Sequence, residues 1–406
     1  MAGVLPVLLG GDANVYGMAR SFWEAYRVRS VAVCQRALPA LAHSRLVRAA
    51  VCTPRLGEDE VLVRVLVALA RAHPDKTCLL VSCADGYTMQ LARCRQALAP
   101  WFRFACPAPA VVDALGTKEG FAACCAARGL RTPQSVTLSP GEPLPHLPFG
   151  WPVVVKPADS PAYWNCHFPG KRKVYLVRDR DELEATVAAV TRGGYGGALL
   201  LQEYIPGPDT ALGVVNAYCT RDGRVPWMVQ GQVLWQERTP EGVGNYGAVL
   251  VEPARQDEAL CEALAALLRE QGWQGFANFD LKYAPDGTPV LFEMNPRQGR
   301  ASYACTVAGA NLAVPLVTDL VRQEPVAPPV LCSAVWYTAP WGVVRRRCPN
   351  KTLLRRAAEL RRRGRGYVHL LAPGEGLARR LWFVARQGSY RRKLHPAPSR
   401  AGRPAL

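Results

Sequence analysis

The stretch that decides the reading is Asn278-Phe279-Asp280-Leu281-Lys282, followed after Pro285-Asp286-Gly287 by Val290-Leu291-Phe292-Glu293-Met294-Asn295-Pro296-Arg297. At the two-residue period of a strand, Val290, Phe292 and Met294 fall on one face and Leu291, Glu293, Asn295 and Arg297 on the other. Pro-Asp-Gly is turn chemistry, so the two runs are expected to pair as a hairpin that sets Asp280 across from the Glu293/Asn295 row. Two carboxylates and one amide oxygen would then converge. Such an all-oxygen set suits Mg²⁺, or Mn²⁺, which takes one or two carboxylates and completes its shell with phosphate oxygens and water. Arg297, two places further on that face, has the fork geometry to hold a carboxylate or phosphoryl group through two hydrogen bonds. An ordinary hairpin with a polar outer face is the alternative.

The totals bound the class. At 406 residues the chain has room for two or three domains, and 49% hydrophobic with 20% charged residues describes a globular protein. The apolar runs are shorter than a bilayer helix, and Met1 to Leu9, without a basic flank, reads as a first buried strand. Fourteen cysteines and six histidines occur without Cys-x-x-Cys or zinc spacing. Free cysteines in apolar runs behave as small buried hydrophobes, which points to a reducing, cytoplasmic setting. The net charge of +18 is uneven: from Arg345 onward there are 18 Lys+Arg against Glu359 and Glu375.

Along the chain, residues 1 to 116 alternate short apolar runs with amphipathic stretches, the pattern of a parallel sheet. Val4 to Leu9, Val31 to Cys34 and Thr77 to Cys83 are expected strands; Ala13 to Tyr26 and Glu58 to Ala72 are expected helices. Ligands of such sheets bind beyond the carboxyl ends of strands, which singles out Gly10-Gly11-Asp12 and Ser82-Cys83-Ala84-Asp85-Gly86. A tight turn capped by Asp12 is the competing reading of the first. Asp113 to Arg128 reads as one helix with Lys118 near its start, and Thr132 to Pro152 as a proline-rich connector. Trp151 to Pro157 is a short strand carrying Lys156, and Ala158 to Lys173 a polar loop. Ala198 to Ile205 is a strand that turns polar at Gln202-Glu203-Tyr204-Ile205, before Pro206-Gly207-Pro208. Residues 210 to 252 read as antiparallel strands and Asp257 to Gln271 as a helix. Gly242 to Gly247 matches a dinucleotide fingerprint but precedes a β-like segment, so no pyrophosphate site is expected there. His167 is read as a hydrogen-bonding loop residue.

Glu-x-Asn-x-Arg with an Asp on the neighbouring strand resembles the metal-binding signature of ATP-grasp ligases. The resemblance implies an α/β and α+β architecture in four parts. Residues 1–116 would be a Rossmann-like front domain, 117–205 a small lobe and 206–325 a large lobe with the metal site, followed by a basic extension over 326–406. It further implies ATP and Mg²⁺ as cofactors, with Asp280, Glu293 and Asn295 as metal ligands. Lys118 and Lys156 would then sit on the α- and β-phosphates, Gln202 to Ile205 on the adenine and Asp209 on the ribose. The acid or acyl phosphate would fall to Arg297, with Lys156 beside it in catalysis. Gly10, Gly11, Asp12, Arg300 and Ser302 would orient substrate. The implied reaction is carboxylate–amine ligation through an acyl phosphate.

The opening Leu-Gly-Gly-Asp-x-Asn and the Phe-Glu-Met-Asn-Pro-Arg-Gln-Gly-Arg context are similar to bacterial proteins of the D-aspartate ligase type, which implies a peptidoglycan stem-peptide amine as acceptor. Another amino acid or small carboxylate is the alternative, as is a nucleotide-binding module without turnover. Basic residues interleaved with Leu370, Leu371, Leu377, Leu381, Trp382 and Phe383 suit an anionic membrane surface at the inner face of the plasma membrane. Nucleic acid competes as a partner for the basic segment, and a homodimer stays open.

Overall fold

The computed structural model describes residues 3–237 and 244–394; at Ser160, Pro161 and 391–394 only the backbone is considered, so the side chains of Arg391, Arg392 and Lys393 lie outside the described residues, as do Gly242 and Val243. Three sheets organise the chain. The front sheet is parallel, in the order β3-β2-β1-β4, from Val4–Leu9 (β1), Ser30–Cys34 (β2), Val47–Cys52 (β3) and Thr77–Ser82 (β4). Its strands are apolar because helices cover both faces. Val7 and Leu9 pack into one core and Leu8 into another. The order of strands reverses between β1 and β4, whose carboxyl ends carry Gly10-Gly11-Asp12 and Cys83-Ala84-Asp85. A crevice opens where adjacent strands diverge in connection, so ligand chemistry belongs at this point. β3, an edge strand in an ordinary polar–apolar mixture, was not expected from the sequence.

The second sheet is antiparallel, β5-β8-β6-β7, from Ser135–Leu138 (β5), Val153–Pro157 (β6), Tyr175–Val177 (β7) and Leu199–Glu203 (β8), and has its own core around Val153, Val155 and Leu201. The proline-rich connector therefore contains a strand. β5 sits at the sheet edge, where neighbouring prolines cost no ladder hydrogen bond. The polar loop after Lys156 also holds a short helix, Ser160–Trp164, whose first turn is capped by Asp159.

The third sheet has seven strands in the order β13-β12-β9-β10-β11-β14-β15. They are Leu212–Cys219 (β9), Trp227–Gln236 (β10), Tyr246–Val251 (β11), Gly275–Tyr283 (β12), Pro289–Asn295 (β13), Ala334–Tyr337 (β14) and Gly366–Val368 (β15). The front and third sheets share two cores, so residues 3–116 and the large lobe pack as one body.

Two expectations are corrected here. The helix expected over Asp113 to Arg128 is two, Pro109–Gly116 and Lys118–Ala126, because Thr117 stops the first and its hydroxyl caps the second at Gly120 N. The basic segment is not an appendage beyond residue 325. β14 and β15 complete the large sheet, and Leu370 is buried while Trp382 and Phe383 pack against the shared core. His369 is fully enclosed by Tyr16, Tyr303 and Trp336. Its Nδ1 accepts from Trp336 Nε1 at 3.0 Å, so Nε2 carries the proton and donates to Ala13 O at 2.8 Å. Burial pushes this imidazole down to about 3. Buried Arg379 lies over the rings of Tyr16 and Trp382 and donates to Leu370 O and Ala42 O. Part of the segment, Arg379 included, is thus structural. Alternating arginine and leucine could not reveal this, because part of the burying surface, Ala13 and Tyr16, comes from the first helix.

The helix Ala13–Tyr26, whose amino end bears Asp12, is consequently seated by the far end of the chain. Removing the ring of Trp336 would open a cavity at this junction. Trp336→Ala is expected to cost about 3–5 kcal/mol in urea unfolding, whereas a detachable extension would leave the unfolding midpoint unchanged.

Candidate active site

β12 alternates: Ala277, Phe279 and Leu281 face the core, while Asn278, Asp280 and Lys282 share the opposite face. In the pairing of β12 with β13, Asn278 is opposite Asn295 and Asp280 opposite Glu293. The register then shifts, Leu281 meeting Leu291, so a bulge lies at Phe292. This corrects the face assignment made from a strict period of two. Leu291 and Met294 enter one core and Val290 and Phe292 another, and the bulge turns Glu293 and Asn295 toward Asp280.

Asp280 is held from two sides. Tyr246 OH donates to Oδ1 at 2.8 Å, and Asn295 Nδ2 donates to Oδ2 at 3.1 Å and to Asn278 Oδ1 at 3.1 Å. Burial and then the Glu293 charge push the Asp280 carboxyl up to about 7, against the pull of the Tyr246 hydrogen bond, Arg297 and the Asn295 amide. Two adjacent carboxylates and an amide oxygen are a hard-oxygen donor set, and their mutual repulsion is the electrostatic situation that a divalent cation relieves. The residues fit Mg²⁺. Among the described residues no cluster of three His, Cys, Asp or Glu side chains competes with it.

Arg297 leaves the strand immediately afterwards and meets Asp85, Nε to Oδ1 at 3.0 Å and Nη2 to Oδ2 at 3.3 Å, while Nη2 also donates to Asn295 Oδ1 at 3.1 Å. The expected arginine and the crevice of the front sheet are therefore in contact. A cavity of about 740 Å³ joins them, lined among others by Asp12, Asp85, Lys118, Asp280, Glu293, Asn295, Arg297 and Arg300. That volume suits a small-molecule site.

Lys156 and the β8 end stand beside it. Lys156 Nζ donates to Gln202 Oε1 at 2.8 Å. Burial, then the neighbouring Lys118, push the Lys156 ammonium down to about 8, with Glu293 opposing and Lys173 adding to the effect. Lys118 is lowered too, first by burial. Three lysines crowd one point, which raises the local affinity for an anion. Glu203 is engaged by Arg131 at 2.7 Å and by Gln134 N. Lys282 donates to Ile205 O at 2.9 Å and lies 5.5 Å from the Tyr204 ring centroid, and Asp209 accepts from the Gln236 backbone and side chain.

Other expected residues have structural duties. Asp12 caps its helix at Asn14 N and Val15 N while also lining the cavity. At Gly11 a Cβ would collide with the Arg36 carbonyl, and Gly10 has φ 140°, so the pair serves a close turn. Ser302 is buried ahead of the short helix Tyr303–Val307 and is not among the residues lining the cavity. His167 is bonded to Asn165 O, as expected of a loop residue. Tyr246 and Asn278 were missed as site residues, and Asp85, within a stretch singled out at the end of β4, was given no role of its own. Tyr246 sits at the end of the glycine-rich run rejected as a dinucleotide motif; that run does lead into a strand, β11, and its Gly244 and Asn245 line the cavity.

No family model matches the sequence. The D-aspartate ligase of Enterococcus faecium (strain Aus0004) is 34% identical over 332 residues, spanning 79% of this chain and 77% of that protein. The L-amino acid ligase from Bacillus licheniformis superposes with a TM-score of 0.58 at 19% identity, covering 83% of this chain and 80% of that one. N5-carboxyaminoimidazole ribonucleotide synthetase, solved as its ADP complex, superposes with a TM-score of 0.60 at 13% identity, covering 88% and 86%. At those identities the two structures bear on the fold, which is ATP-grasp. The sequence relative bears on more, and on its extent the chain belongs with the D-aspartate ligase among the ATP-grasp carboxylate–amine ligases, enzymes that form carbon–nitrogen bonds.

Proposed function

We propose that this ligase activates a carboxylate of D-aspartate with MgATP and transfers the acyl group to the side-chain amine of a peptidoglycan precursor in the cytoplasm. The observation that carries the reading is the meeting of Arg297 and the Asp280–Glu293–Asn295 cluster with the carboxyl ends of β1 and β4 in one cavity. The D-aspartate ligase of E. faecium supports the choice of acid.

In this reading Asp280, Glu293 and Asn295 hold Mg²⁺, which when bound offsets phosphate charge and orients the γ-phosphoryl group. Lys118 and Lys156 take the α- and β-phosphate oxygens. Gln202, besides steering Lys156, introduces the Glu203–Ile205 segment to the adenine, and Asp209 receives the ribose. Arg297 and Arg300 hold the substrate carboxylates, and Asp12 and Asp85 stand where an ammonium would be received. A substrate carboxylate displaces Asp85 from the Arg297 fork, so the free protein carries a stand-in of the same chemistry. The substrate carboxylate oxygen attacks the γ-phosphorus and ADP leaves. The acceptor amine then attacks the acyl carbon, inorganic phosphate leaves with the C–O electron pair, and the ammonium gives up a proton. No protein nucleophile is required, because the chain's part is positioning and charge stabilisation.

ADP release, and hydroxamate formation with hydroxylamine as the amine, are expected to be fastest with D-aspartate among amino acids of both hands. A faster L-amino acid, with D-aspartate silent, would remove the assignment of the acid. Glu293 is exposed, so Glu293→Gln is expected to leave stability within about 0.5 kcal/mol while lowering turnover on the order of 100-fold or more. Unaltered turnover would remove Glu293 from the site.

Acidity gives a separate check. The native Asp280 carboxyl keeps its proton up to about 7, whereas the unfolded one loses it near ~4. Between these values the native state binds more protons, so this group's contribution to apo stability falls as pH rises. Affinity for Mg²⁺ rises over the same interval, because the deprotonated form is the ligand. Thermal denaturation from pH 5 to 8, with and without MgADP, is expected to show the Mg²⁺-dependent gain growing toward pH 7 and vanishing in Asp280→Asn. A gain independent of pH and retained in Asp280→Asn would contradict the ligand assignment.

A further inference from the structure

The helix Leu377–Leu394 packs only one side against the body. Trp382 and Phe383 turn inward, and buried Arg379 is fixed between aromatic rings. The other side carries Leu377, Leu381 and Val384 at exposures of 72%, 62% and 68%. These positions are spaced four and three apart, so they form one ridge, with exposed Ala378 and Ala385 flanking it. Three large aliphatic side chains in a row on a helix otherwise rich in arginine leave apolar area in water that packing within the chain does not use.

A second feature adjoins the first. At the amino ends of β1, β2 and β3, the far end of the front sheet from the catalytic crevice, a cavity of about 530 Å³ is lined by Leu5, Arg29, Ser30, Val31, Ser44, Arg45, Val47, Arg48 and His73. No acidic side chain lines it. Among the described residues Arg29, Arg45 and Arg48 make no ion pair, in contrast to Arg356 and Arg363, which pair with Glu252 and Glu359. The buried Ser30 hydroxyl lacks a hydrogen-bond partner. His73 donates Nδ1–H to Leu69 O. The nearby carboxylate, Glu375, is buried and spent on Tyr16 OH, Ser44 Oγ and Arg45 N. The Arg45 guanidinium lies against Gly376, the residue before Leu377. The cationic cavity and the apolar ridge therefore meet end to end.

We propose that this edge of the molecule is a peripheral docking surface for an anionic lipid bilayer. Leu377, Leu381 and Val384 enter the interfacial layer, and Arg29, Arg45 and Arg48 receive lipid phosphates. Each half alone has a plainer reading: apolar ridges cover protein partners, and arginine cavities take free anions. Their contiguity fits a surface that presents hydrocarbon and phosphate side by side, and a bilayer does so. Among the described residues no helix is long and apolar enough to cross a membrane, so the contact is a surface one. It places the catalytic crevice at the other end of the front sheet, away from the lipid. The inference goes beyond the ligase reading and is independent of which acid is activated.

The test is co-sedimentation of the full chain with vesicles of phosphatidylcholine alone and with added phosphatidylglycerol, at low and physiological salt. Binding is expected only to the anionic vesicles and to weaken with salt. Leu377→Ser/Leu381→Ser/Val384→Ser and, separately, Arg29→Glu/Arg48→Glu are each expected to lower vesicle affinity about tenfold or more, with melting temperature and ADP release as in the parent. Millimolar inorganic phosphate is expected not to displace the protein. Absence of vesicle binding, equal binding to both vesicle types, or ridge variants that bind as the parent does would overturn the proposal. Displacement by inorganic phosphate would reassign the cavity to a free anion. A concentration-dependent dimer in sedimentation velocity, dispersed by the ridge substitutions without vesicle binding, would make the ridge a self-interface. ADP release reports separately on the ligase reading, so the two can fail independently.

Discussion

Asp280 and Glu293 are set directly across from each other on neighbouring strands, and like charges in that relation repel. The fold spends considerable structure on keeping them there. Tyr246 from β11, Asn278 from β12 and Asn295 from β13 form a hydrogen-bonded collar around Asp280, and the bulge at Phe292 brings Glu293 onto the same side. Such a repulsion persists in a folded protein only when the surroundings over-determine it, and sites of this kind are where function concentrates. Burial and the Glu293 charge push the Asp280 carboxyl up, and a divalent cation between the two would relieve the repulsion.

The remaining site follows from that pair. Arg297 leaves the strand two residues after Asn295 and reaches the carboxyl end of β4, so the Asp280–Glu293–Asn295 cluster and the front-sheet crevice cannot be positioned separately. The helix beginning at Asp12 completes the crevice, and its place is set by His369, Arg20 and Arg379, through contacts with the C-terminal segment. A segment that looks like a surplus of charge in one dimension is, in three, what seats the helix bordering the crevice. By contrast, the four-stranded sheet bearing Lys156 has a separate core. That separation is what a lobe that closes over nucleotide requires, since few apolar contacts need to be broken for it to move.

What could be read in the sequence follows the range of the forces involved. Strand and helix identities in the front domain and the pairing of Asp280 with Glu293 across a hairpin are local patterns, and 34% identity to a ligase over most of the chain agrees with the family that the sequence suggested. Local signals failed where distant contacts decide. Thr117 is the exception, a local cap that divides a stretch amphipathic on both sides of it. Ser135–Leu138 becomes a strand only because β8 offers an edge. The face of Leu291 depends on a bulge that no periodicity announces, and the burial of His369 and Arg379 depends on Tyr16 at the opposite end of the chain. Tyr246 was hidden for a related reason: its run was weighed as a dinucleotide motif, and so its hydroxyl was not counted toward Asp280.

The central claim is that one divalent cation is shared by Asp280 and Glu293 when nucleotide is bound. Crystals grown with Mn²⁺ and ADP, with data collected at the manganese absorption edge, test it most directly. The account predicts an anomalous peak about 2.1–2.3 Å from carboxylate oxygens of both residues, with Asn295 completing the protein ligands and phosphate oxygens on the far side. Nucleotide bound in the cleft with the manganese peak elsewhere, or with Asp280 and Glu293 still engaging only protein neighbours, would contradict it.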